Sequence, residues 1–336
     1  MAQTAYDPFA PGAHAVGVRT FTARDGARER LFPCDVWYPA APGDDHRDAE
    51  HGAETSPAGW PHPLIVFSHF SLGHRGASSF LCRHLASHGY VVAALDHSEV
   101  VAPELAPRPG ETPSARGARI NAIIVSRVPD VRFLLDLVLT GADGAIAGID
   151  IDDGLIGIAG HSLGGWTALA TPDADPRVKA VAALAPGGSK NPRPGILPLE
   201  LAFAWGRDVP TLYLAAEDDV SIPPSGVIEL YERTPATKRM FILRRADHQH
   251  FVDDVEAAHE AVRAMTLGGD AAWLPAAMKP ITELCTGEQA HIFVRSLTVA
   301  HFDAALRQLD PAARFLAADV PAALAAHQVE ATAHPA

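Results

Sequence analysis

Leu155-Ile156-Gly157-Ile158-Ala159-Gly160-His161-Ser162-Leu163-Gly164-Gly165-Trp166-Thr167-Ala168-Leu169-Ala170 decides how this chain is read. The first five residues are an apolar run suited to a buried strand, and the last six begin a helix. Between them, Gly160–Gly164 matches G-x-S-x-G, the nucleophile elbow. Strand, tight turn and helix give the motif a mechanism. The serine sits on a strained turn, and glycines two residues to either side let the backbones pack closely. The helix N-terminus aims its N–H groups at any anion forming there. Ser162 is therefore the candidate nucleophile. The plainer alternative is a glycine-rich turn of an ordinary α/β protein.

Working outward, the same rhythm recurs. Leu64–Ser68 and Val91–Leu95 read as central strands, with a helix over Ser79–His88 between them. Val178–Leu184, Thr211–Ala215 and Arg239–Leu243 are further strands, and Gly226–Thr234 is a helix. Helical segments over Arg116–Ser126 and Asp130–Leu139 are expected to be interrupted at Pro129. Strands alternating with helices predict an α/β fold, a mostly parallel sheet with helices on both faces. Val16–Thr22 and Leu31–Tyr38 add an N-terminal β extension, paired through a turn at Asp25-Gly26. Residues 39–63 are rich in Pro, Gly, acids and His, an exposed loop in which His46 and His51 are solvated rather than metal-bound. Residues 187–208 break the βα rhythm with Pro192, Pro194 and Pro198 and read as an active-site cover. From Val255 the chain is Ala-rich and helical, with residues 265–336 a C-terminal helical extension. Its terminal helices fall at Ala300–Leu309 and Ala312–His327, and Val329–Ala336 reads as frayed. With no repeat and no long linker, residues 1–336 read as one domain.

Composition narrows the function. A formal net charge of −13 argues against nucleic acid and anionic membranes as partners. Cys34, Cys82 and Cys285 are odd in number and widely spaced, neither a disulfide framework nor a zinc pattern. Met1–Pro8 lacks the basic start and apolar core of a signal peptide, and no run approaches the ~18 apolar residues of a membrane span. The expectation is a cytoplasmic protein, with a homo-oligomer left open.

A serine hydroxyl needs a base in reach and a group to orient that base. With an elbow, the chain order is serine, then acid, then histidine. Acids follow the Thr211–Ala215 strand as Glu217-Asp218-Asp219, and we favour Asp219 over Asp218 and Glu217. Past the last core strand comes Asp247-His248-Gln249-His250. We favour His248 over His250, with His161 and His97 as further rivals and Asp247 a fallback acid. His161 belongs to the elbow itself, where its side chain should point away from the serine. His248 and His250 lack a third ligand for a metal. An oxyanion hole needs two N–H donors. Leu163 is one, and Phe70 or Ser71, in the loop after Leu64–Ser68, is the other.

These residues carry a family resemblance. Phe67-Ser68-His69 with its loop, Leu85–Val92, Gly160–Gly165, Glu217–Asp219 and His248–Phe251 resemble α/β-hydrolases. The group in question includes platelet-activating-factor acetylhydrolases, dienelactone-hydrolase-like proteins and bacterial polyester (cutinase-like) hydrolases. The likeness spans roughly residues 15 to 260. It implies the α/β-hydrolase fold and a Ser162–Asp219–His248 triad acting on carboxylic esters without cofactor or metal. Two positions depart from the pattern. Phe70 stands where the acetylhydrolase branch has glycine, and Ala185-Pro186 carries no acid, so the carboxylate is expected one strand later. Dienelactone hydrolases proper carry cysteine where this chain has Ser162.

The reading is a serine esterase acting through an acyl-enzyme on a small-molecule ester, with short acyl groups preferred. Phe70, Trp166, Phe203 and Trp205 are the expected pocket aromatics. An acyltransferase using the same triad, or a non-catalytic binding protein on this fold, are the alternatives.

Overall fold

The computed structural model describes residues 6–41, 50–51, 61–141, 144 and 146–335. Met1–Ala5 and most of the 39–63 segment, His46 included, lie outside the described residues, and nothing is described of the His51 side chain.

In chain order the elements are β1 (Ala15–Asp25), β2 (Arg30–Ala40), β3 (Glu50–His51), β4 (His62–Ser68), α1 (Ser79–Ser87), β5 (Val91–Leu95), α2 (Ser98–Val101), α3 (Pro113–Thr140), β6 (Ile151–His161) and α4 (Leu163–Ala174). Then come β7 (Val178–Leu184), β8 (Thr211–Ala216), α5 (Pro224–Arg233), β9 (Lys238–Leu243), α6 (Val255–Arg263), α7 (Leu274–Ala277), α8 (Gly287–Ala305), α9 (Asp310–Ala317), α10 (Val320–Ala325) and β10 (Ala331–Ala333). The ten strands form one sheet in the order β10-β9-β8-β7-β6-β4-β5-β2-β1-β3. The run from β5 through β9 is parallel, and β1, β2 and β10 supply antiparallel pairs at the flanks.

The parallel strands are near-continuous apolar runs because both faces are covered. Alternate residues go to opposite sides. Leu64, Val66, Val91, Ala93, Ile156, Ile158 and Val181 face α3, α4 and α5 through Leu134, Leu169 and Leu230. Ile65, Phe67, Val92, Ala94, Ala159, Ala182 and Leu214 face α1 and α8 through Leu81, Leu85, Phe293, Leu297 and Phe302. The C-terminal helices are therefore half of the core cover.

Two expectations need correction. Pro129 does not interrupt α3, which runs 28 residues. Thr112 caps it by accepting from Ala115 N–H, Pro113 occupies the first turn, and Gly141, at φ +64°, ends it. An interior proline costs about 3 kcal/mol. Burial on both sides of it offsets that cost, with Ile123 and Arg127 before it and Val131, Leu134, Leu135 and Val138 after it. Likewise, residues 331–333 are not frayed. They pair antiparallel with β9, Ala331 opposite Leu243, and occupy the hydrogen-bonding edge that β9 would otherwise leave open.

Strand order reverses about β4, which lies between β6 and β5. In open α/β sheets the crevice at the carboxyl ends beside such a reversal is where ligands bind. Ser68, at the end of β4, pairs with Gly160, two residues before Ser162.

Candidate active site

Ser162 lies between β6 and α4 at φ +60° and ψ −117°. A positive φ at a non-glycine residue costs on the order of 1–3 kcal/mol and persists only where the surroundings impose it. Here they do. Ser162 N–H donates to the Leu184 carbonyl (2.9 Å), and its own carbonyl accepts from Trp166 N–H (3.0 Å) and Gly187 N–H (3.2 Å). The flanking glycines are a matter of contact. A Cβ on Gly160 would lie 2.3 Å from the Gly164 carbonyl oxygen, and one on Gly164 would lie 1.9 Å from that of Ser68.

His248 opens a 3₁₀ turn beyond β9. Its Nε2 is 2.9 Å from Ser162 Oγ and its Nδ1 is 2.6 Å from Asp219 Oδ2. Asp219 follows β8, and its other oxygen accepts from Ser221 N–H (2.8 Å) and Ile222 N–H (2.7 Å). Those backbone donors fix the carboxylate, and the carboxylate fixes the imidazole with Nδ1–H toward it. Nε2 is then an acceptor for the serine proton. Burial pushes the His248 pKa down, but the charge of Asp219, its hydrogen bond and the charge of Asp247 push it up. The net direction is upward from the ordinary 6.5.

The rivals for these roles are held elsewhere. Asp218 pairs with Lys279 (2.7 Å) and Glu217 with Arg244 (2.5 Å). His250 turns its Nδ1 to Asp247 (2.8 Å) and its Nε2 to the Cys285 carbonyl (3.1 Å). His97 joins Ser68 and Asp130. His161 is buried with its ring 4.7 Å from that of His248, and burial pushes its pKa well down, so the ring behind His248 is neutral. Among the described residues, no group of three or more His, Cys, Asp or Glu is arranged to hold a metal. Nor is any helix among them long and apolar enough to cross a membrane.

Comparisons with known proteins agree with this architecture. Residues 32–104 match the family model of platelet-activating factor acetylhydrolase, isoform II. Two Thermobifida alba proteins are similar. Cutinase est1 is 27% identical over 194 residues, 57% of this chain, and Cutinase est2 is 30% identical over 157 residues, 46% of it. The chain spans only 54% and 41% of the lengths of those relatives. The solved structure of a ferulic acid esterase from Streptomyces cinnamoneus superposes with a TM-score of 0.61 at 24% identity, covering 89% of this chain and 93% of that one. The chain has the α/β-hydrolase fold.

In this fold the loop after β4 lies against the first turn of α4, where the Leu163 N–H has no partner within the helix. Phe70 and Ser71 are half-buried in that loop. The Phe70 ring stands 5.7 Å from that of His161. A cavity of about 240 Å³ opens next to the segments that hold Ser162 and Asp219. Gly187, whose N–H binds Ser162, and Ile222, whose N–H binds Asp219, both line it, together with Ile196, Leu197 and Pro223.

The 187–208 segment contains neither helix nor strand, and its two halves part company. Residues 187–197 border the cavity, and the chain then passes over Trp166, whose Nε1 donates to the Glu200 carbonyl (2.8 Å). The second half runs to the far end of α4, where Arg207 donates to the carbonyls of Pro172 (3.0 Å), Asp175 (3.2 Å) and Val178 (3.0 Å). Twelve residues of helix put that end roughly 18 Å from Ser162. Phe203 and Trp205, in ring contact at 5.5 Å, are buried in the core cluster that also holds Trp166, and neither lines the cavity described above.

Sequence reasoning passed over Arg127, Glu99 and Asp130, which are buried behind the β4 loop. A signal existed. Positions 123, 127, 130, 131, 134, 135 and 138 share one face of α3, so two charges interrupt an otherwise apolar stripe.

Proposed function

We propose that this chain is a carboxylic ester hydrolase working through an acyl-enzyme on Ser162. The observation that carries the reading is the continuous hydrogen-bonded run from Ser162 Oγ through His248 to Asp219. In the proposed cycle, Ser162 attacks the ester carbonyl as His248 Nε2 takes its proton, and Asp219 stabilises the imidazolium that forms. The N–H of Leu163 and that of Phe70 or Ser71 receive the charge on the carbonyl oxygen. His248 then protonates the leaving alcohol. A water, deprotonated by the same histidine, releases the acid. The steps call on no cofactor. The similar proteins, two cutinases and a ferulic acid esterase, favour an ester over other acyl compounds.

The small cavity lined by Gly187, Ile196, Leu197 and Ile222, next to the segments that hold Ser162 and Asp219, supports a small substrate with a short acyl group. The test is a panel of p-nitrophenyl esters from acetate to palmitate, run on the wild type and on Ser162→Ala, with fluorophosphonate labelling alongside. The expected result is turnover that falls about 10³-fold or more in the variant, labelling of the wild type alone, and an optimum at or below hexanoate. Turnover that survives in Ser162→Ala overturns the mechanism. An optimum at octanoate or longer overturns the acyl assignment.

A further inference from the structure

The loop after β4 is gripped from behind by one side chain. Arg127 of α3 is fully buried. Its Nη1 donates to the His69 carbonyl (2.7 Å) and to Ser68 Oγ (3.3 Å). Its Nη2 donates to the Phe70 carbonyl (3.2 Å) and to Glu99 Oε1. The Phe70 carbonyl also accepts from Gly73 N–H (3.0 Å) and from His69 Nδ1–H (2.6 Å). The other nitrogen of His69 accepts from His97 N–H (3.0 Å). Ser68 Oγ meets His97 Nε2 (2.8 Å), and His97 Nδ1 faces Asp130 (3.2 Å), three residues along α3 from Arg127. Two consecutive peptide groups thus have their carbonyls tied to the α3 side.

A trans peptide is planar, so its N–H points opposite to its C=O. Fixing the His69 carbonyl fixes the direction of Phe70 N–H, and fixing the Phe70 carbonyl fixes that of Ser71 N–H. These are the two groups from which the second oxyanion donor comes. We infer that Arg127, held by Glu99, is a positioning residue that sets the oxyanion donors of the β4 loop by binding the carbonyls on their far side. The inference rests on the ester-hydrolase reading. A buried ion pair adds little net stability over an apolar pair of similar volume. What the guanidinium adds here is a planar fork that can hold two carbonyls and a hydroxyl at once. Preorganisation of this kind matters where charge develops only in the transition state.

The test compares the wild type with Arg127→Lys and with the double variant Arg127→Met/Glu99→Gln, which leaves no buried charge unpaired. Four quantities are measured on a short p-nitrophenyl ester: kcat, KM, the inhibition constant of a trifluoromethyl ketone that forms a tetrahedral adduct, and that of the product acid. The double variant is expected to lose about 10- to 100-fold in kcat. KM and product-acid affinity should hold, and ketone affinity should fall by the same factor as kcat. Arg127→Lys should show smaller, matched losses, and it decides on the same criteria if the double variant does not fold. A kcat within about twofold of wild type overturns the inference. So does a fall in kcat with unchanged ketone affinity, or losses confined to KM, since a merely structural role would give these. Wild-type protein with no Ser162-dependent turnover would overturn the ester-hydrolase reading as well, and that outcome is distinct from all of these.

Discussion

Replacing Asp219 by Asn changes one atom in the wall of the site, and the structure says where that atom goes. Asp219 Oδ1 accepts from the N–H groups of Ser221 and Ile222, so the asparagine carbonyl oxygen must stay there. The amide nitrogen then takes the place of Oδ2, 2.6 Å from His248 Nδ1. Two donors cannot face each other, so Nδ1 becomes the acceptor and the ring proton moves to Nε2. Nε2 lies 2.9 Å from Ser162 Oγ, and once protonated it cannot accept the serine proton. Loss of the productive tautomer costs about 10⁴ in kcat, or about 5.4 kcal/mol at 1.36 kcal/mol per decade. The assay is kcat and kcat/KM from pH 5 to 9 on a short p-nitrophenyl ester, with thermal unfolding to show that the fold survives. In the wild type kcat/KM should rise with pH through an ionisation above 6.5, because His248 must be neutral to act and Asp219 raises its pKa. In the variant the upward pull is gone, so the limb of the residual activity should move to lower pH. Asp218→Asn is the control. It breaks an ion pair with a half-exposed lysine and should leave the rate near wild type. A loss of less than about tenfold in Asp219→Asn, or a larger loss in Asp218→Asn, refutes the reasoning.

Three further outcomes follow from particular contacts. The pKa of His250 is pushed up to about 10: burial opposes the charge, and the hydrogen bonds to Asp247 and Cys285 outweigh it. Its contribution to stability is therefore complete below about pH 6.5 and is lost as pH rises through about 10. The stability gap between wild type and His250→Gln in urea should shrink from pH 7 to 10, and a constant gap would contradict this. Gly164→Ala should destabilise by at least the ~1–3 kcal/mol of overpacking, since its Cβ meets Ser68 backbone. Gly117→Ala, in α3 with open space around it, should stabilise by up to about 1 kcal/mol; equal unfolding midpoints for the two would sink the contact argument. Phe70→Gly should shift the acyl-length preference toward longer chains, and an unchanged profile means the ring lines no acyl pocket.

Legibility followed physics. The parallel strands were readable because burial on both faces leaves uninterrupted apolar runs, so the predicted Val178–Leu184 has the bounds observed for β7. The elbow was readable because its glycines are imposed by backbone contacts that recur with the motif: Gly160 meets Gly164 four residues on, and Gly164 meets Ser68 at the end of the neighbouring strand. Pro129 misled because local backbone preference was outweighed by burial of the α3 face, which depends on the whole sheet. β10 had no signature because Ala331-Thr332-Ala333 has little apolar pattern, and its place comes from the open edge of β9. His248 and His250 are alike in sequence, and only the turn between them sends one to Ser162 and the other to Asp247. Phe203 and Trp205 were assigned by residue type, while their position depends on a loop path that composition does not encode. Arg127 shows the same limit, since its partners His69, Phe70 and Glu99 are at least 28 residues away in the chain.

The proposed site draws each of its parts from a different strand end: the loop proposed to carry the second oxyanion donor from β4, Ser162 from β6, Asp219 from β8 and His248 from β9. No local segment can set their spacing, so it must come from sheet register and from what holds each loop. The serine turn is fixed by its own backbone, through Leu184, Trp166 and Gly187. The acid is fixed by two N–H groups of its own turn. The other two loops have turn bonds of their own, Gly73 N–H to the Phe70 carbonyl and Gln249 N–H to Asp247, and each is further tied by a buried charged network reaching a remote element. Arg127 and Glu99 tie the β4 loop to α3 and α2. Asp247 ties the histidine turn to α6 through His259 (2.5 Å), and His250 ties it to the segment before α8 through the Cys285 carbonyl. Apolar packing would resist the collapse of those loops but would tolerate small rotations of a peptide group or a ring. Hydrogen bonds to charged side chains restrict such rotations, and a donor or base misplaced by about 1 Å can lose on the order of 10² in rate. On this argument, the buried charges belong on the loops whose own turn bonds leave a peptide group or a ring free to rotate, and that is where the fold puts them.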